Sequence, residues 1–448
     1  MPSFRSVWIV RFLALMLLLV SPVLIVMPAR AEGPTLAWVE SLHNSGGEFA
    51  VHPDGSVTIT SGCGSEGATV IETVSASQQE RWTVPTGAQG LDCWRPTTAA
   101  GDQIAYTHVR DASSGQLLIA AHRHGTRLWL TDLPEPLVCA EPFQETAARD
   151  IKVGADGNVY VLTTAAAADC HRREFRVIGL RAADGSIMFS TSFAPTEDNV
   201  EFFDANAAGL VAASPSTAYW IAYTGEVTAT ASLPETDLVE GFMGSNNADG
   251  RFFAFLNFRQ LPQGCPAGST SAQSVVAIDN GHIRWRTKIV GHCTEPVDID
   301  ALPDGGVVVT VIERGRAKLI RFDAGGHMTW LKVYGPDVIA AITTIDGTGL
   351  IVVQADIDTG DTRRARTIVY SADNHTVIAD FTTEQFDGLH NGFANATRVV
   401  PGTDLAPGRI YLPVVRCFDF FDCNYIYTLY AVTVPGITGD YPRVQLIS

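Results

Sequence analysis

Past residue 31 this 448-residue chain shows almost no helical periodicity and no run of eighteen apolar residues. The first absence argues against a helical or α/β domain, and the second against a membrane span in the mature chain. Basic residues are scarce, at 31 Lys and Arg against 48 Asp and Glu, for a net charge of −17. Such a balance disfavours polyanions, so nucleic acid is not an expected partner. The chain also lacks a phosphate-cradling glycine loop, a zinc-spaced Cys/His cluster and a nucleophile elbow. No cofactor, metal ligand or catalytic residue is assigned on these grounds.

What the chain has begins with its N-terminus. Arg5 and Arg11 precede an apolar stretch from Phe12 to Met27, and Ala29-Arg30-Ala31 follows. A positive n-region, a short apolar core and a small-residue cleavage pattern predict a signal peptide over 1–31. The mature protein, 32–448, is then exported to the periplasm or secreted, and is read as a monomer. Losing Arg5, Arg11 and Arg30 takes the net charge from −17 to −20. The first cysteine is Cys63, so no lipid-attachment cysteine follows the apolar run.

The rest of the chain is runs of four to eight residues rich in Val, Ile, Thr and aromatics, bounded by Gly, Pro, Asp and Asn. Those are strand and hairpin signals. A turn-then-strand unit recurs: Pro53-Asp54-Gly55 before Val57–Thr60, Ala155-Asp156-Gly157 before Val159–Leu162, and Pro303-Asp304-Gly305-Gly306 before Val307–Thr310. The clearest unit spans Pro296–Gly335. It reads as Val297–Ala301, Val307–Ile312, Ala317–Phe322 after Arg314-Gly315-Arg316, and His327–Val333 after Asp323-Ala324-Gly325-Gly326. Repeats of this length, each one supersecondary unit, predict an all-β chain forming a single β-propeller.

Eight four-stranded blades fit best, with second strands near Val57, Ile104, Val159, Tyr219, Phe253, Val307, Leu350 and Ile410; seven is the alternative. Fourth strands carry Trp82, Trp129, Phe189, Trp285 and Trp330, large aromatics suited to wedging one blade against the next. Leu36–Glu40 looks like a fourth strand with no blade before it. It is expected to pair into the last blade near Tyr411–Val434 and close the ring, removing the open edges.

The Asp-Gly turns, Asp279-Asn280-Gly281-His282-Ile283-Arg284-Trp285 and Asp323 through Trp330 resemble bacterial propeller repeats of the quinoprotein-like (PQQ-like) superfamily. The resemblance covers most of 36–448 and implies the fold. Such propellers host enzymes, scaffolds and receptors alike. It also implies that quinone-dependent alcohol dehydrogenases place a disulfide of adjacent cysteines against the cofactor, and no two cysteines are adjacent here.

Eight cysteines in an exported chain read as disulfides. Cys63 and Cys93 are 30 residues apart, Cys139 and Cys170 31, Cys265 and Cys293 28, and Cys417 and Cys423 6. Sequential pairing is expected, among 105 formal possibilities. On the blade map all eight follow second or fourth strands and so project to one face. The long connections Thr164–Arg173, Gln260–Gln273 and Asp356–Arg364 are assigned to it too. The opposite face has mostly tight Asp-Gly turns.

Candidate binding residues on the cysteine-bearing face come from two repeats and one short loop. His43 and His390 share a Leu-His-Asn context, where imidazoles could bind metal or handle protons, or where Asn and Gly simply set the backbone. Glu141 and Glu295 share a Cys-x-Glu-Pro context at the channel rim. Phe418, Phe420 and Phe421 lie within the Cys417–Cys423 loop as a recognition patch or as loop packing. Asp356-Ile357-Asp358-Thr359-Gly360-Asp361 is oxygen-rich but lacks the trailing Glu of a calcium loop, and reads as a polar loop. The function expected is a non-catalytic propeller binding a protein or carbohydrate ligand on its disulfide-stapled face. The alternative is an enzyme at the same mouth, either a quinone-dependent oxidoreductase or a polysaccharide lyase or hydrolase.

Overall fold

The structure, a computed structural model, describes residues 34–434 except 43–48, 53–54, 62–67, 75–80, 90–96, 100–103, 111–115, 135–146, 167–172, 194–199, 234–238, 259–270, 292–293, 336–337, 346–349, 359–362, 372–375, 385–391, 395–397, 401–408 and 418–424. The signal-peptide expectation for 1–31 falls outside them.

The described elements are strands, and they pair into eight antiparallel sheets. Seven are four-stranded meanders in sequence order, spanning 49–89, 97–132, 147–192, 202–232, 239–291, 294–333 and 338–382. The sixth is made of Thr294–Ala301, Val307–Glu313, Arg316–Phe322 and Met328–Val333. These lie within a few residues of the strands read from sequence. In the eighth sheet Gly392–Ala394 and Arg398–Val400 both pair with Arg409–Cys417, which pairs with Tyr425–Thr433. The fourth place is taken by Thr35–Leu42, in register Leu36↔Val432 and Trp38↔Ala431. A succession of four-stranded meanders, with the first strands of successive sheets beside one another, is a β-propeller arrangement.

One unit differs from its sequence reading. Tyr219 lies on the third strand of the fourth sheet, Thr217–Ile221, and the second strand is Gly209–Ala213. There the first and second strands meet through Ala207-Ala208, a two-residue connection in place of the Asp-Gly turn. With that marker missing, the small residues of Gly209–Ala213 hid a fully buried strand.

Each sheet is apolar on both faces, so second strands read as unbroken hydrophobic runs instead of alternating ones. Phe252, Ala254 and Leu256 pack toward the fourth sheet with Val211 and Trp220. Phe253 and Phe255, on the same strand, pack toward the sixth with Val307 and Val309. The core is therefore a series of layers between successive sheets.

The layers share a repeated outer brace. Trp129, Phe189 and Trp285 each stand on a fourth strand and lie against the glycine of the third-to-fourth turn in the next sheet. A β-carbon added at Gly185 would stand 2.6 Å from the Trp129 ring, at Gly225 2.5 Å from Phe189, and at Gly326 2.5 Å from Trp285. Two residues further on, a threonine hydroxyl donates to that same glycine's carbonyl: Thr131 to Gly185 at 2.7 Å, Thr191 to Gly225 at 2.6 Å, and Thr287 to Gly326 at 2.8 Å. The indoles add hydrogen bonds, Trp129 Nε1 to the Ala182 carbonyl at 2.8 Å and Trp285 Nε1 to that of Ala324 at 2.9 Å. A one-residue bulge precedes the ring in each of these strands and re-aims it. The residue paired with the ring is small: Ala121, Gly179 and Ala277. Burying such a ring is worth on the order of 4–6 kcal/mol from about 150–250 Å² at about 25 cal/mol/Å².

This brace is testable at Gly185, whose φ of 72° already disfavours any side chain. Gly185→Ala is expected to lower stability by about 2–4 kcal/mol through backbone strain and overpacking. Trp129→Ala is expected to cost about 3–5 kcal/mol. Urea denaturation of the mature chain measures both, and an unchanged midpoint for Gly185→Ala would show that the ring does not rest on that turn.

Candidate functional site

In an antiparallel meander the connections fall on two ends. First-to-second and third-to-fourth turns share one end; second-to-third loops and the exits from fourth strands share the other. At the first end the turns are short and internally bonded. Asp156 Oδ1 accepts the Asn158 N–H at 3.1 Å, Asp304 Oδ1 that of Gly306 at 2.9 Å, and Asp323 Oδ1 those of Gly325 and His327, both at 2.9 Å. Each aspartate mimics a backbone turn, and the following glycine takes the positive φ. The His327 N–H is the main influence holding the Asp323 carboxyl below the usual carboxylate range.

Every cysteine belongs to the second end by its place in the chain. Cys63, Cys170, Cys265 and Cys423 fall between second and third strands of their sheets, and Cys93, Cys139 and Cys293 in exits from fourth strands. Cys417 is the last residue of its strand, opposite Tyr425 across a hairpin. The other seven cysteines lie outside the described residues, as do His43, His390, Glu141, Phe418, Phe420 and Phe421. Glu295 is the second residue of its sheet's first strand, opposite Ile312. Its neighbour Thr294 is buried, and its carbonyl accepts the amide of Gln273, itself fully buried on the fifth sheet. That bond fixes the backbone next to Cys293.

Two of the long connections are shorter than their sequence reading. Ala166 pairs with Arg173, and Asp358 with Arg363, so the strands run almost to the connection. Asp356, Ile357 and Asp358 are consecutive residues of an extended strand and not part of a loop.

First strands carry carboxylates with a structural task. Asp150, Asp204 and Asp298 each accept the N–H of the next residue, at 2.8, 2.9 and 2.9 Å. The first strand is an edge of its sheet, and these bonds cover N–H groups that would otherwise be open. Asp150 also pairs with Lys152 at 3.1 Å. Sequence reading missed these residues, because a single Asp on the first strand of each of three sheets does this, among 48 acidic residues.

The structure also brings forward His122, on the third strand of the second sheet. It is 4% exposed, and neither ring nitrogen has a hydrogen-bond partner among the described residues. Burial, helped by the charge of Arg127, lowers its pKa to about 4. It is thus neutral at pH 7 and no proton carrier there. In the unfolded chain it protonates near pH 6.5. Its folded pKa is depressed, so stability is whole above pH 6.5 and falls as the pH drops toward 4, by about 3 kcal/mol. Unfolding free energies of wild type and His122→Leu between pH 7.5 and 4.5 should diverge over that window. Parallel curves would refute a buried neutral imidazole.

No protein-family model and no curated protein matches the chain. Among solved structures it is similar to a eukaryotic initiation factor, at 10% identity over 83% of this chain and 96% of that one, TM-score 0.42. It is similar to polysaccharide lyase Uly1, at 9% identity over 85% and 88%, TM-score 0.41. Prolyl oligopeptidase B from Galerina marginata is similar at 10% identity and TM-score 0.47, over 86% of this chain but 56% of that one. The chain thus spans just over half the length of that oligopeptidase. Identities this low speak for no shared activity.

Proposed function

We propose that the chain is one eight-bladed β-propeller, closed by the strand 35–42. In this reading it is exported, and it binds a protein or carbohydrate ligand without catalysis on the face formed by its second-to-third loops and fourth-strand exits. The supporting observation is the distribution of cysteines: all eight fall at one end of their sheets, while the other end is given over to bonded turns. Sequential pairing would join neighbouring connections of the first, third and fifth sheets and close the last hairpin, with no bond across the ring. A loop of about 30 residues closed this way is worth roughly 3–4 kcal/mol in the chain-entropy model. A stapled loop also loses less freedom on binding, which favours a recognition surface.

Peptide mapping without reduction is expected to show Cys63–Cys93, Cys139–Cys170, Cys265–Cys293 and Cys417–Cys423. A Cys63–Cys265 bond would overturn the pairing. The binding reading is tested by screening the mature chain on arrays of polysaccharides and of exported proteins. Saturable binding should fall at least tenfold in the double variant Cys265→Ser, Cys293→Ser and persist in Arg181→Ala at the opposite end. Cleavage of a bound polysaccharide, or oxidation of a bound alcohol, would replace the non-catalytic reading with an enzymatic one.

A further inference from the structure

The brace is displaced at the joint between the fourth and fifth sheets. Ala229 occupies the place of Trp129, Phe189 and Trp285, following the same bulge on its fourth strand. The large ring has moved one strand inward, to Trp220, which pairs with Ala229. Its Nε1 donates to the Gly250 carbonyl at 3.1 Å, on the first-to-second turn of the fifth sheet and not on the third-to-fourth. Against this displaced ring lies a cavity of about 220 Å³, lined by Trp220, Thr228, Asp249, Gly250, Asp279 and Asn280 among others.

Its chemistry is that of an acceptor site. Asp279 Oδ2 accepts from the Arg284 guanidinium at 2.9 Å, so its charge is balanced. Asp249 has no ion pair or hydrogen bond among the described residues and is the uncompensated charge of the cavity. Asn280 adds an amide, held at a φ of 45° by the two-residue turn with Gly281. The volume is below the range of about 300–1,000 Å³ typical of drug-sized ligands, which limits the occupant to a few carbons. Among the described residues no three acidic, His or Cys side chains gather, so a bare metal ion lacks its ligand set. We propose that this cavity binds a small ligand bearing a primary ammonium group, with its charge met by Asp249 and its carbon stem against the Trp220 indole. An ammonium has three donors for these acceptors, and an indole attracts a nearby cation.

The probes are n-butylamine and n-butanol, equal in size and different in charge. The reporter is the indole N–H signal of Trp220 in the mature chain, assigned by its loss in Trp220→Phe. Butylamine is expected to shift it saturably, and butanol not. Asp249→Asn should weaken the amine at least tenfold with an unchanged thermal midpoint. Arg284→Gln, which unmasks the Asp279 charge, should tighten it at least threefold. The site is overturned by no saturable shift with the amine, by equal response to butanol, or by unchanged amine affinity in either charge variant.

Discussion

A large ring on one sheet resting on a glycine of the next is the contact on which this fold depends. No sheet here can stand alone, because each is apolar on both faces and needs a neighbour on each. The ring sets the spacing between neighbours, and it requires three things at once. The turn beneath must have no β-carbon, the paired residue on the third strand must be small, and the fourth strand must bulge to aim the ring. The threonine two residues on then ties the strand to the same glycine's carbonyl. One such ring, at on the order of 4–6 kcal/mol, rivals the net stability of a typical domain, about 5–15 kcal/mol. It opposes the chain entropy that every added sheet incurs.

The brace divides the two ends of the sheets between two tasks. Turns that dock on a neighbour have little freedom in length or residue type, since a β-carbon or an added residue would collide with the ring. Asp184 and Asp323, in two of these turns, accept the N–H groups of Ser186 and Gly325. At the other end, by place in the chain, lie the cysteines and most of the longer connections. The carboxylates on first strands are likewise engaged, each with the N–H that follows it. In the proposed reading, recognition falls to the end that carries these connections.

The sequence showed the strand order in most of the chain because its markers were local. Asp-Gly turns and fourth-strand aromatics were enough to place seven of the eight second strands, and Trp38 sits in register opposite Ala431 as a fourth strand should. The bulges were not legible, since register depends on a partner strand. Nor were the edge-covering aspartates or the burial of His122, which depend on neighbours distant in sequence. The site was legible only as topology. His43, His390, Glu141 and Glu295 were singled out by local repeats and the phenylalanines of 418–421 by their short loop, and such patterns fix a position in the chain without fixing what a side chain meets.

Two sheets carry alanine where the ring belongs, and their causes differ. Ala379 of the seventh sheet faces the eighth, whose third and fourth strands come from opposite ends of the chain. No turn joins them, so a ring at 379 would lack the glycine it rests on elsewhere. Ala229 differs, because Asn280-Gly281 stands opposite, and a β-carbon added at Gly281 would already come 3.3 Å from that of the alanine. There the ring was relocated to Trp220, and size was exchanged across one strand pair: small and large swapped between positions 229 and 220. The layer between the sheets keeps its bulk, but the bulk lies further in. That exchange leaves polar space beside the ring, lined by residues that need not pack. The unit hardest to read in sequence, which lacks both the Asp-Gly turn and the fourth-strand aromatic, is thus the one where the repeat opened, as expected where a local rule is broken and balanced nearby.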